Sequence, residues 1–365
     1  MLWDALSMAF AMGWEILWAL ILGFLLSAGI QAVVSKKQMA GLLPNSSRKS
    51  LTKATLLGAA SSSCSYAAVA IARSMFAKGA NFVAAIAFEI ASTNLVIELG
   101  IIMALLLGWQ FTLAEFVGGP IMIVVFALLA RWLLKPKIVE AARKVAEKGV
   151  QGKMEGHAHM DLSVGGDDSV ISKLKSGAGQ TATSHYFVMD WQMVWKDIAI
   201  GLLVAGAAAA LIPHSFWQSF FLTTHPTLSA IWGPIIGPIV AVVSFVCSIG
   251  NVPLAAVLWN GGISFGGVIS FIFADLIVLP IINIYRKYYG MKMALWLSGL
   301  LYLAMVAAGY VIEVSFQFLN LVPTARSAKV IEASISWNYT TVLNIIFLII
   351  AALVVMRYAK TKHAK

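Results

Sequence analysis

Charge is what this sequence has least of. Only 12% of its 365 residues are Asp, Glu, Lys or Arg, while 60% are hydrophobic. A soluble globular chain carries about 25% charged residues, so a fold that buries one core and solvates its whole surface is excluded. Cysteine is nearly absent: Cys64 and Cys247 stand in opposite halves of the chain, with no Cys-x-x-Cys pair. That rules out a disulfide framework and the usual dithiol redox motif, and leaves a membrane thiol oxidoreductase as a minor alternative. No Walker-type phosphate loop occurs, so nothing points to nucleotide-driven work. No cofactor motif is recognisable and none is expected. The N-terminus has no basic segment before its first apolar run, and that run is too long for the core of a signal peptide; it reads as a membrane helix.

Long apolar runs fill the chain instead. About 20 such residues span the roughly 30 Å of a bilayer's hydrocarbon, and there are several runs of that length. The net charge of +10 lies in loops beside them, where it sets orientation rather than marking a nucleic-acid surface. The partners expected are therefore the lipid bilayer and a small-molecule or metalloid substrate, with no nucleic acid; a homo-oligomer remains open.

An internal repeat organises the runs. When the sequence is shifted to lay Cys64 on Cys247, Ser65 falls on Ser248, Gly79 on Gly262, Phe82 on Phe265, Phe88 on Phe271 and Ala91 on Ala274. Residues about 8–134 and 194–316 read as two copies of a four-segment unit. Basic residues follow the first segment of copy one (Lys36, Lys37, Arg48) and its fourth (Arg131, Lys135, Lys137), whereas in copy two they follow the third (Arg286, Lys287, Lys292). This pattern reads as inverted topology, which needs an odd number of crossings per copy. The second segment of each copy, carrying "GAASSSCS" and "CSIGNVP", is the candidate for entering and leaving on one side; the alternative is that every segment crosses. The expected architecture is an all-α polytopic membrane protein with two inverted repeats, each holding a re-entrant or broken hairpin with the Cys-Ser box. Its divisions are membrane repeat 1 (1–134), a cytoplasmic linker (135–193), membrane repeat 2 (194–316), and a final loop, transmembrane helix and basic tail (317–365). The N-terminus is expected outside the cell membrane and the C-terminus in the cytoplasm.

The boxes "SSSCSYAAVAIARSMFAKGA", "FEIASTNLVIELG", "GWQFTLAEFVGG", "SHYFVMDWQMVWKDI" and "FVCSIGNVPLAAVLWNGGISFGGVISFIFADLIVLP" resemble the ArsP-like predicted permeases of bacteria and archaea. The resemblance covers most of the chain outside the linker and the last span. It implies an integral-membrane permease, not an enzyme, and some members of the family export trivalent organoarsenicals. Arsenical-exporting relatives tend to carry Cys-x-Cys in the first box; Ser62 stands at the first of those positions here, which bears on the substrate and not on the fold.

The residues that can carry chemistry follow from their types. Cys64 and Cys247 are soft ligands suited to a thiol-seeking solute, with Ser62, Ser65 and Ser248 as hydroxyl neighbours; equally, cysteine is often an inert buried hydrophobe. Asn251 and Asn94 add amides to this substrate-binding set, though Asn94 can also simply bridge helices. Glu89, Glu98 and Asp275 lie in apolar segments, where a charge costs at least about 2.5 kcal/mol; they are the ion-coupling candidates. Asn94 and Glu98, four apart, are expected on one helix face. Glu15 and Glu115 are expected near span ends. In the linker, His157, His159 and Asp161 form a short metal-ligand pattern, or a merely solvated one. The function expected is that of a secondary transporter exporting a soft thiol-reactive solute such as a trivalent organoarsenical. A divalent-cation transporter or channel using the carboxylates is the runner-up.

Overall fold

A computed structural model describes residues 2–33, 43–61, 65–77, 79–148, 170–211, 220–221, 225–244, 248–326, 328 and 337–362. Among these residues every regular element is helical. The helices are α1 (Leu2–Val33), α2 (Arg48–Ser61), α3 (Ser65–Ala77), α4 (Phe82–Asn94), α5 (Ile97–Leu106), α6 (Trp109–Leu133), α7 (Pro136–Lys148) and α8 (Val170–Lys175). They continue as α9 (Gly177–Leu211), α10 (Pro226–Ser244), α11 (Ser248–Gly261), α12 (Phe265–Ile272) with a 3-10 turn at Phe273–Ile277, α13 (Leu279–Tyr289), α14 (Met291–Phe318) and α15 (Tyr339–Lys362). Four described helices are long and apolar enough to cross a bilayer, and two bent helix pairs raise the number to six. The chain is a multi-pass membrane protein.

The same construction occurs twice, at the positions the repeat pairs. Helix α3 ends on Gly79 at φ +103° and α11 on Gly262 at φ +109°, a backbone region in which a side chain is strained. Gly79 N–H donates to the Phe76 carbonyl and Ala80 N–H to that of Met75; Gly262 and Ile263 repeat this on Trp259 and Leu258. Both are Schellman closures, which satisfy carbonyls left over at a helix end. The next helices start alike, with the Asn81 side chain accepting from Val83 and Ala84 N–H, and Ser264 from Gly267 N–H. An arginine then grips each closure. Arg143 of α7 donates to the Phe76 and Ala80 carbonyls with its guanidinium 4.2 Å above the Phe76 ring. Arg326 donates to the Trp259 and Ile263 carbonyls, 4.4 Å above the Trp259 ring.

Packing follows the same pairing: α2 lies on α4 as α10 lies on α12, while α1 packs on α9 and α6 on α14. The contacts are close enough to require missing side chains. A Cβ on Gly58 of α2 would stand 2.4 Å from the Phe88 carbonyl oxygen, and one on Gly237 of α10 would stand 2.4 Å from that of Gly267. Small residues that let helix backbones approach are the usual membrane solution, since lipid offers no hydrophobic drive for helices to associate. Helix α15 is clipped to α1 by Asn344. Its amide takes the Trp18 N–H (2.8 Å) and gives to the Trp14 carbonyl (2.7 Å), standing between two groups that a helix would otherwise pair directly.

Three expectations change. Breaks occur in the third segment of each copy, where none was expected. Pairs α4–α5 and α12–α13 are each bent by 42°. Of the second-segment stretches expected to break, 58–61 and 248–253 lie in helices α2 and α11, while 62–64 and 247 fall outside the described residues. The boundary expected at 193–194 is crossed by α9, which begins at Gly177. Finally, Asn94 ends α4 and Glu98 lies in α5, so the four-residue spacing does not put them on one helical face.

Candidate functional site

The two breaks sit in the most buried helices of the molecule. Every residue of α12 is buried, as is all of α4 except Val83. The α4 break follows three consecutive polar residues that bond backwards. The Ser92 hydroxyl donates to the Glu89 carbonyl, the Thr93 hydroxyl to Glu89 and Ile90, and the Asn94 amide to Ile90. These side chains compete with the helix ladder for its own carbonyls. At the second break Val278 is extended, and Pro280 has no N–H to continue a ladder. Irregular backbone at membrane depth persists only where protein or an aqueous cavity covers it.

Two hydrogen bonds join the first and second halves of the chain beside these breaks. Ser65, the first residue of α3, donates to Asp275 Oδ2 at 2.7 Å. Asp275 lies in the 3-10 turn of the second copy and is fully buried. The Tyr285 hydroxyl of α13 donates to Glu89 Oε1 of α4, and both side chains are fully buried. Hydrogen bonds to carboxylates are roughly twice as strong as neutral ones, and without water they are what makes burying an acid tolerable. Tyr285 stacks on Tyr289, with centroids 6.2 Å apart, and Tyr289 completes an aromatic wall with Phe76 and Phe82. The nearby buried Arg73 donates to the Ala146 carbonyl and lies 4.6 Å over the Tyr288 ring.

The structure thus joins Ser65 with Asp275 and gives Glu89 a donor. Asn94 and Asn251 are fully buried. Asn251 makes no hydrogen bond through either side-chain atom, and Asn94 Oδ1 makes none. Ser248 starts α11 and Glu98 lies in α5, but their side chains, like that of Glu15, are outside the described residues. Cys64, Cys247, Ser62, His157, His159 and Asp161 fall there entirely. Two participants were missed. Tyr285 sits in "IYRKYYG", which reads from sequence as the basic end of a span. Glu115 was expected near a span end, yet it lies about two turns into α6, fully buried and with neither carboxyl oxygen hydrogen-bonded. A carboxylate followed by Gly118-Gly119 was the available signal, because paired glycines mark the face of a helix that is approached closely.

A family model described as "Predicted permease" (ArsP_1) matches residues 1–314. The chain belongs to this predicted-permease family. It is 64% identical over 326 residues to "Putative permease Rv2963" of Mycobacterium tuberculosis (strain ATCC 25618 / H37Rv), across 89% of this chain and 80% of that one. No solved structure matches the chain at a significant level. The two broken helices of this chain are linked by buried polar bonds. Broken membrane helices expose backbone groups and half-helix ends near the midplane, where secondary transporters hold their cargo.

Proposed function

We propose that this permease is a secondary transporter that exports a soft, thiol-reactive solute, with a trivalent organoarsenical as the first candidate. The observation that carries the reading is the Ser65–Asp275 hydrogen bond. Ser65 immediately follows Cys64, so the bond ties the first Cys-Ser box to the broken helix of the other copy. In this reading the copies are inverted repeats, and the recurrence of the Gly79 and Gly262 closures with their arginines supports it. Cys64 and Cys247 supply soft ligands, while Ser62, Ser65, Ser248, Asn94 and Asn251 supply polar contacts. Glu89, Glu98 and Asp275 carry the coupling ion.

A largely uncharged solute such as methylarsenite suits walls that are mostly apolar with a few thiols and hydroxyls. A divalent cation would need several ligands in one place. Among the described residues no three His, Cys, Asp or Glu side chains converge with the geometry to hold a metal, so the organoarsenical reading is preferred. The test is accumulation of methylarsenite, arsenite and zinc in cells expressing the wild type, Cys247→Ala or no permease. Methylarsenite lowered by the wild type alone supports a thiol in the path. Equal export by Cys247→Ala removes the thiol from the mechanism. No response to any of the three solutes removes the metalloid assignment.

A further inference from the structure

Glu115 is the buried acid that the reading above leaves without a task. It occupies α6, which packs against α4, α5, α12 and α14. Its direction follows from its neighbours on the same helix. Gly118 and Gly119, three and four residues on, share its face. A Cβ on Gly118 would lie 2.9 Å from Phe273 Cζ, and one on Gly119 would lie 2.5 Å from Leu95 Cδ2. Leu95 caps α4 at the first break, and Phe273 opens the 3-10 turn that leads to the second. The face of α6 that bears Glu115 is therefore pressed against both breaks. Asp275 lies two residues after Phe273, in the same 3-10 turn.

No hydrogen bond supports the Glu115 carboxyl: both oxygens are buried and unbonded. An ionised carboxylate in that position would lose its hydration with nothing in exchange, a cost of several kcal/mol or more. The titratable groups on the elements around it do not offset this. They are Glu89 on α4, Asp275 beyond α12, and Lys292, Tyr302, Tyr310 and Glu313 on α14, while the side chain of Glu98 on α5 lies outside the described residues. Lys292 is exposed at the start of its helix. Glu313 is engaged by the Gly266 N–H and the Gln317 amide. The described carboxylates would repel a second negative charge, Tyr302 and Tyr310 donate to the Ile235 and Ile231 carbonyls, and no three acids come close enough to share a metal among the described residues. A proton is the cation that a lone buried carboxyl can carry. Separately, Asn251 on α11, which packs on the 3-10 turn, keeps a fully buried amide with neither atom bonded. Unpaired polar atoms at this depth mark a place where something polar belongs.

We propose that the coupling ion is a proton and that Glu115 joins Asp275 in carrying it, the proton passing between the two as the broken helices move, so that transport is coupled to a proton gradient. This rests on the transporter reading, and deepens it by naming the coupling ion and a residue to hold it. In the described conformation the proton sits on Glu115, while Asp275 accepts from Ser65. When solute occupies the breaks and displaces Asp275 from Ser65, the proton passes from Glu115 to Asp275 and leaves on one side, and Glu115 takes a new proton from the other side, so that each cycle ends with Glu115 protonated as it began.

The test begins with infrared spectra of the detergent-purified full chain at neutral pH, in H2O and D2O. The wild type should show the C=O stretch of a protonated carboxyl, and Glu115→Gln should lose it. Should Glu115→Gln fail to give a monodisperse protein, Glu115→Asp decides: a shifted band supports the assignment and an unshifted one overturns it. A band lost when sodium replaces potassium overturns the proton in favour of sodium. In proteoliposomes, methylarsenite uptake driven by a pH gradient should be lost in Glu115→Gln, while exchange of methylarsenite at equal pH persists. Gradient-driven uptake equal to wild type would overturn the proposal. If the wild type moves no methylarsenite, the substrate assignment fails, and the infrared result still decides whether Glu115 holds a proton.

Discussion

Tyr285 and Tyr289 stack together within one wall, yet they hold different stakes. Tyr285 donates to Glu89 Oε1, and Glu89 Oε2 has no donor. Tyr285→Phe therefore leaves a buried acid wholly unsupported, at a cost of about 1–3 kcal/mol. The Tyr289 hydroxyl has no hydrogen-bond partner, so Tyr289→Phe removes nothing that the fold uses. Thermal unfolding in detergent should show a clear loss of stability for the first variant and little or none for the second; equal effects would mean that the Glu89 bond contributes nothing. Ser65→Ala deletes the donor to Asp275, and methylarsenite export should fall while the protein stays monodisperse. Ser65→Thr, which keeps a hydroxyl, should recover most of it.

Within single elements, glycines separate strain from space. Gly79 and Gly262 both have positive φ and close equivalent helices. Alanine at either should cost about 1 kcal/mol, and the two losses should match because the closures match. Gly299 in α14 has an ordinary helical backbone, and nothing lies within 4 Å of a Cβ placed there. Gly299→Ala should be neutral, or stabilising by up to about 1 kcal/mol. Gly58→Ala and Gly237→Ala meet carbonyl oxygens at 2.4 Å, and backbone cannot swing aside as a side-chain tip can. Both should lower the melting temperature further than the Gly79 and Gly262 variants. A melt series over these five substitutions checks the order.

For the whole molecule, the proposed inversion makes a topological prediction. The arginine that grips the first copy's closure is Arg143 in α7, and its counterpart is Arg326 in the loop after α14. Inverted copies put these two on opposite sides of the membrane. In a chain with Cys64→Ser and Cys247→Ser, a cysteine at exposed position 324 should react with an impermeant maleimide added to intact cells. A cysteine at exposed position 144 should react only after permeabilisation. Labelling of both from one side would mean that the copies run in parallel.

Composition alone determined that the chain lives in a bilayer and crosses it several times, and its spacing proposed two copies of one unit. These follow from transfer free energy and from repeated spacing, which are local properties written along the chain. The basic character of "YRKYYG" concealed Tyr285, because a hydroxyl that caps a carboxylate in the other copy leaves no local trace. The four-residue spacing of Asn94 and Glu98 misled for the same reason: it presumes a continuous helix, and Ser92, Thr93 and Asn94 spend their side chains ending one. Whether Glu115 ended at a water interface or against two helix breaks was decided only when α6 packed on Leu95 and Phe273. Sequence sets which segments must leave water. Only packing decides which polar groups go with them and whom they meet there, since a buried acid's surroundings come from helices distant in the chain.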